Sequence, residues 1–255
     1  MNKKAEFTIN LVREAGERIK DMMKEDINIS LKSSRSDFVT NVDKQTEVFL
    51  VSGIKEAYSN QNFLTEEKTV ETMGQDHLWI IDPIDGTTNF IYQKQNFSIS
   101  VGYYHKGAPV FGIVYDVMAD EMFVGIVGEG AYLNNIKLPM LDQSILLKDS
   151  IVSGDVYRPG LFSLTPEDLK PLFITHRFLG SGALEVCHIA AGRWQSYVFP
   201  SLKVWDFAAA VIILQCVGGT YHFGDLEDGL YFDNEPRVFI AASNQNIKEN
   251  LKALL

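Results

Sequence analysis

Asp82-Pro83-Ile84-Asp85-Gly86-Thr87-Thr88-Asn89 is the segment in which this 255-residue sequence concentrates its chemistry. The apolar run Trp79-Ile80-Ile81 stops in two carboxylates three residues apart, and a glycine followed by hydroxyl and amide side chains comes next. A strand that ends in acids at a proline-glycine turn presents oxygen ligands to a hard cation such as Mg²⁺. The helix start behind it presents backbone N–H groups to a phosphate. The segment therefore predicts a cation and an anion side by side.

Four further acids stand at comparable places: Asp43, Glu66-Glu67 after the short strand Asn62-Phe63-Leu64-Thr65, and Asp206 at a helix opening behind Leu202, Val204 and Trp205. Singly, each has an ordinary reading. Glu66-Glu67 suits a solvated loop, Asp206 a helix N-terminus and Asp43 a turn. If the strands share a sheet, however, their ends converge. Two bare carboxylates about 4 Å apart repel by about 4 kcal/mol at an effective dielectric of about 20. A cluster of four stays ionised only with cations, and an all-oxygen donor set favours Mg²⁺, Ca²⁺ or Mn²⁺ over Zn²⁺.

The elements that must position these acids follow from periodicity. Ile9, Val12, Ala15, Ile19, Met22 and Met23 recur at three- and four-residue spacing and predict an amphipathic N-terminal helix. Residues 32–42 are small and polar and read as a loop; a second helix is expected from Thr46 to Ala57, with Val48, Leu50, Val51 and Ile54 inward. His77 to Ile81 reads as the strand entering the acidic turn. Residues 97–126, broken at Lys106-Gly107 and Met118-Ala119-Asp120, read as a three-stranded antiparallel meander. Gly128-Glu129-Gly130 lacks the third glycine and the helix of a nucleotide loop, so it is a structural turn. Beyond about residue 140, strands near 150–154, 175–179, 194–199, 220–222 and 237–242 alternate with helices near 165–171, 183–192, 205–217 and 245–254. Gly218-Gly219 closes the third of these helices, and Asn244 caps the last. The expected division is an α+β part, 1–139, with most of the candidate ligands, and an α/β part, 140–255, with Asp206. No linker separates them.

A hydrophobic fraction of 46% and a charged fraction of 22% are ordinary for a globular chain. The net charge of −10 argues against nucleic acid as a partner, while bound cations would still allow a small anionic substrate. The charged first thirty residues hold no signal-peptide core, and no run approaches the roughly 20 apolar residues of a membrane span. The expected location is cytoplasmic. Cys187 and Cys216 lie in apolar stretches and are expected to be buried free thiols. His105, His176, His188 and His222 share no ligand spacing. The acidic run Asp225, Glu227, Asp228, Asp233 and Glu235 lacks the EF-hand alternation and reads as a solvated loop.

Four motifs in order, Thr40-Asn41-Val42-Asp43, Glu66-Glu67, Asp82 to Thr87 and Trp205-Asp206-Phe207-Ala208-Ala209, give the chain a family resemblance. From about residue 5 to 250 it resembles the inositol monophosphatase family, within the Mg²⁺-dependent, Li⁺-sensitive phosphatases that also include fructose-1,6-bisphosphatases. The resemblance implies a layered αβαβα sandwich, a homodimer and a phosphoric monoester hydrolase. It implies a first Mg²⁺ on Glu66, Asp82 and the Ile84 carbonyl, a second on Asp82, Asp85 and Asp206, and a weaker third on Glu66 with waters. Mn²⁺ would substitute, and Ca²⁺ or Li⁺ would inhibit. The Gly86 and Thr87 amides would receive the phosphate. Thr87, bonded to Asp43, and Glu66 would position the attacking water and take its proton, with no phospho-enzyme nucleophile. Glu67 would orient waters or the Thr40 region, and Lys32 and Ser33 match a mobile loop that approaches the cations.

On the substrate side, Gly180-Ser181-Gly182-Ala183 resembles the small-residue segment that borders the substrate. Animal members place a substrate-binding glutamate where this chain has Phe199. A phenyl ring accepts no hydroxyl hydrogen bond, a loss of about 1–3 kcal/mol, but it can stack on a purine or nicotinamide. The expected activity is Mg²⁺-dependent hydrolysis of small phosphate esters of the inositol 1-phosphate type. NADP(H) 2′-phosphate and fructose-1,6-bisphosphate are the alternatives. A regulatory protein on a phosphatase scaffold is the reading from another class; the complete acid set argues against it.

Overall fold

Apolar residues at helical spacing put Val12, Ala15 and Ile19 of α1 (Lys3–Met22) on one buried face. The computed structural model describes residues 2–25, 29–31, 38–70 and 74–255. Lys32 and Ser33 lie outside the described residues. An antiparallel ribbon, β1 (Ile29–Leu31) with β2 (Phe38–Thr40), leads into α2 (Asn41–Ala57). This helix starts at Asn41, not Thr46. Thr40 Oγ1 accepts from the Asp43 amide at 3.4 Å, and the Asp43 carboxylate accepts from the Thr40 amide at 3.0 Å. That reciprocal capping box turns a polar stretch expected to be loop into a helix start. Leu50, Val51 and Ile54 are buried as expected, whereas Val48 is 50% exposed. The inward face is instead completed by Asp43, Thr46 and Glu47.

The first sheet runs in chain order through β3 (Asn62–Thr65), β4 (Leu78–Asp85), β5 (Ser98–His105), β6 (Ala108–Asp116), β7 (Glu121–Ile126), β8 (Gly130–Leu133) and β9 (Ile136–Lys137). β3 and β4 are parallel and the later pairs antiparallel. β4 does not stop at Ile81. It runs on through Asp85, buried at every position, and its register against β5 shifts between Asp82 and Asp85. Pro83 sits in that irregular stretch, where its missing N–H costs no ladder bond. The six-residue helix α3 (Thr87–Tyr92) follows.

The second sheet is built from β10 (Ile151–Gly154), β11 (Thr175–Arg177), β12 (Ser196–Leu202), β13 (Thr220–Phe223), β14 (Leu226–Glu227) and β15 (Arg237–Ala242), in the order β11-β10-β12-β15-β13-β14. Its helices are α4 (Pro166–Leu169), α5 (Gly182–Ala190), α6 (Ala208–Gln215) and α7 (Gln245–Lys252). α5 and α6 fill the space between the sheets, sharing a core with Val114 and Phe123 of the first and Tyr197 and Phe239 of the second. α1 and α2 cover the outer face of the first sheet, and α7 packs on the second. The result is the expected αβαβα sandwich. α6 lies so close to the first sheet that a Cβ on Gly112 would stand 2.0 Å from the Ala209 carbonyl oxygen.

The acidic run is tied into this layer. Glu227 pairs with Lys248 at 2.5 Å and with Lys252, and Asp228 accepts from the Tyr221 amide at 2.8 Å. Cys187 is a buried free thiol; Cys216 is free and only half-buried. No helix among the described residues is long and apolar enough to cross a membrane.

Two substitutions test this packing by urea unfolding. Gly112→Ala should destabilise by about 1–3 kcal/mol, because a backbone oxygen blocks the new methyl group. Val48→Ala should stay within about 0.5 kcal/mol of the parent, as an exposed position does.

Candidate active site

Parallel pairing of β3 with β4 carries the end of one strand alongside the acids of the other. The Glu66 amide donates to the Ile81 carbonyl at 3.2 Å, and the Glu66 carboxyl hydrogen-bonds to Asp82. Asp206 arrives from the second half of the chain. It lies in a 3-10 turn, Val204–Asp206, ahead of α6 and not in the helix itself. One oxygen each of Asp82, Asp85 and Asp206 lies within 4.8 Å of the others. These acids, with Glu66, Ile84, Gly86 and Thr87, line a cleft of about 200 Å³.

Each carboxylate is aimed by a local donor. Asp82 Oδ1 accepts from the Ile84 amide at 3.0 Å, and Asp206 Oδ2 from the Lys203 amide at 2.8 Å. Asp85 lies at the N-terminus of α5, where it accepts from Ser181 Oγ at 2.5 Å, Ala183 N at 2.8 Å and Gly182 N at 3.3 Å. The amides of Gly182 and Ala183 therefore face Asp85. Gly182 borders the cleft and Ala183 is buried behind it.

Crowding these acids in a low-dielectric cleft has a cost. Burial first, then the charges of Glu66, Asp85 and Asp206, holds Asp82 well above the usual carboxylate range. Burial, Asp85 and Glu66 do the same to Asp206. For Asp85, burial wins over the opposing Ser181 and amide donors, and its value rises to about 6. A cluster that resists its own ionisation and offers only oxygen donors fits a hard divalent cation.

Beside it, Gly86 holds φ +93° and no side chain caps α3. A Cβ there would approach the carbonyl oxygens of Asn96 at 3.2 Å and Gly180 at 3.3 Å, so glycine is required on both counts. Thr87 Oγ1 lies 3.3 Å from Asp43 Oδ1 and 3.2 Å from the Ile84 carbonyl. Its single proton serves one of them at a time. Asp43 is fully buried and its other oxygen is held by the Thr40 amide and hydroxyl.

Glu47 belongs with this set and escaped the sequence reading. It is fully buried one helical turn after Asp43. Its carboxylate accepts from Thr65 Oγ1 at 2.9 Å, Glu67 N at 2.8 Å, Thr69 N at 2.7 Å and Thr69 Oγ1 at 2.7 Å. It fastens the turn that carries Glu66 and Glu67. The signal was the Asp43-x-x-x-Glu47 spacing, which puts both acids on one helix face only once α2 begins at Asn41 rather than Thr46. Phe178 was also missed. It lines the cleft with Phe199, the rings 6.4 Å apart and 3° from parallel.

An acid cluster at a strand end, an uncapped helix start beside it and an αβαβα sandwich around both define the class of metal-dependent phosphatases. The chain belongs to the inositol monophosphatase family, whose profile matches residues 1–255. The inositol-1-monophosphatase of Bacillus subtilis (strain 168) is 36% identical over 245 residues, covering 94% of this chain and 91% of that protein. Among solved structures, inositol monophosphate-bound SaIMPase-II is similar at TM-score 0.81 and 34% identity, covering 97% of this chain and 91% of that one. An IMPase/NADP phosphatase complexed with NADP and Ca²⁺ is similar at TM-score 0.88 and 26% identity, covering 99% and 95%. The chain is thus a phosphoric monoester hydrolase that acts on small phosphorylated substrates.

Asp85 gives the sign of a pH effect. Its folded value of about 6 lies above its reference value of 3.8, so the cation-free folded protein keeps a proton that the unfolded chain releases. The contribution of Asp85 to cation-free stability is therefore largest at low pH and is lost as pH rises from about 4 through about 6. Mg²⁺ should raise the melting temperature more at about pH 7.5 than at about pH 5, where protons compete for the site; calorimetry with equal gains would contradict this. Glu47→Gln should cost about 2 kcal/mol or more in stability and weaken Mg²⁺ binding measured by titration calorimetry.

Proposed function

We propose that the chain hydrolyses phosphomonoesters of the inositol 1-phosphate type with two to three Mg²⁺ ions. Glu66, Asp82 and the Ile84 carbonyl would hold the first, Asp82, Asp85 and Asp206 the second, and Glu66 a weaker third. Mn²⁺ substitutes, and Ca²⁺ or Li⁺ inhibits. The observation that carries this reading is the convergence of Asp82, Asp85 and Asp206 within 4.8 Å beside the Gly86 turn. When bound, the cations supply charge neutralisation for the phosphoryl group and its leaving oxygen.

The remaining work belongs to the chain. The Gly86 and Thr87 amides receive a phosphate oxygen at the start of α3, where no side chain occupies them as a cap. Glu66 orients the attacking water. The Thr87 hydroxyl takes a proton from that water as it passes its own to Asp43. Thr40 keeps Asp43 in place for this transfer. Glu67 steadies the water side from a turn fixed by Glu47. A cytoplasmic homodimer completes the proposal.

A second reading concerns the substrate. The parallel Phe178 and Phe199 rings at the cleft rim suit a flat base, which supports activity on the 2′-phosphate of NADP(H). That reading agrees with the NADP-bound relative.

Phosphate release is the test. Asp82→Asn and Asp206→Asn should each lower kcat by at least about a hundredfold, and Thr87→Ala by about 10²–10⁴-fold. Full turnover in Asp82→Asn would overturn the assignment. Inositol 1-phosphate, NADP⁺ and fructose-1,6-bisphosphate should be compared with Mg²⁺. Phe199→Ala should raise KM for NADP⁺ and leave that for inositol 1-phosphate unchanged if the rings hold a base.

A further inference from the structure

At the opposite end of β4 from Asp82 and Asp85, three other metal-ligating side chains meet. Leu78 and Tyr104 are cross-strand partners in the antiparallel β4–β5 pair, so the flanking residues His77 and His105 come together. Their rings lie 4.5 Å apart. Asp76 completes the group, and one ligand atom from each residue lies within 4.8 Å of the other two. None of the three takes part in the phosphatase chemistry.

The local geometry differs from an ordinary ion pair. His105 Nδ1 stands 3.1 Å from Asp76 Oδ1, yet this buried nitrogen has no aligned hydrogen-bond partner. A separation of 3.1 Å is also short enough for both atoms to reach one cation with bonds of about 2.0–2.1 Å. His77 Nε2 lies 4.0 Å from the same carboxylate oxygen. The other ring nitrogen of His77 is 2.7 Å from the Tyr103 hydroxyl, itself approached by Lys4 Nζ at 3.1 Å. A partner on Nδ1 fixes the ring and leaves Nε2 for the cluster, as the outer partners of metal-bound histidines do.

We propose that Asp76, His77 and His105 form a second cation site, separate from the catalytic acids and selective for Zn²⁺. Two imidazoles and one carboxylate are too nitrogen-rich for Mg²⁺ and match the three-ligand sets of zinc with one open position. Partial exposure of all three side chains gives the ion a path in. An ion there ties Asp76, just ahead of β4, to the first residue pair of β4 and β5.

The test uses the full chain, stripped of metal and then kept in excess Mg²⁺ so that the catalytic acids are occupied. Titration calorimetry with Zn²⁺ alone should show one further ion per chain. His77→Asn and His105→Gln should each weaken that binding by at least about tenfold, and Tyr103→Phe by about 10–100-fold. Phosphate release with Mg²⁺ should be unchanged in His105→Gln. A readout independent of any variant is the electron paramagnetic resonance spectrum of Cu²⁺ added to the parent chain in Mg²⁺, which should carry coupling to imidazole nitrogen. Absence of Zn²⁺ uptake by the parent, uptake undiminished in both histidine variants, or a copper spectrum without nitrogen coupling would overturn the proposal.

Discussion

Repulsion among Asp82, Asp85 and Asp206, whose oxygens crowd within 4.8 Å, is the constraint around which the molecule is built. Left in water, the three side chains would turn apart. Here each is held from behind by backbone amides, those of Ile84, of Gly182 and Ala183, and of Lys203. Those amides are fixed by larger elements: the β4 irregularity, the start of α5 and the 3-10 turn before α6. The Tyr104 hydroxyl donates to the Ala208 carbonyl at 2.8 Å, pinning α6 just after Asp206. Burial of both faces of the first sheet supplies the stability that offsets the unfavourable cluster. A cation that bound the folded arrangement and not the unfolded chain would convert that cost into affinity.

The two sides of the cleft differ in how firmly they are built. The acids, Gly86 and Thr87 lie on strands and tight turns with their hydrogen-bond partners in place. The opposite rim carries Phe178, 58% exposed, and Phe199, which bring apolar surface and few directional bonds. Phosphate chemistry is therefore specified strongly, and the group attached to the phosphate more loosely. A site of this kind holds the reaction constant while the rim selects among esters.

The Asp82 to Thr87 segment was legible in the sequence because acid, proline, acid and glycine at that spacing each have a mechanical reason to be there. α1 and the β5–β7 meander were legible because their periods are long and regular. The start of α2 was not. Thr40, Asn41 and Asp43 suit a loop as well as a cap, and only the reciprocal bonds of the folded chain decide between them. The same shift explains Val48, which turns outward because buried acids take the inward positions of its helix. Glu47 was invisible for a related reason: a charged residue on a helix is ordinarily solvated, and its four donors come from a separate segment. β8 and β9 are too short to carry an alternation signal. His77 and His105 share no sequence spacing, and antiparallel pairing alone brings them together.

Anomalous diffraction from crystals soaked in Mn²⁺ locates ions in the acid cleft without reference to activity. At least two peaks are expected, one among Glu66, Asp82 and the Ile84 carbonyl and one among Asp82, Asp85 and Asp206. A cleft without peaks at saturating Mn²⁺, or ions bound only elsewhere on the chain, would contradict that expectation.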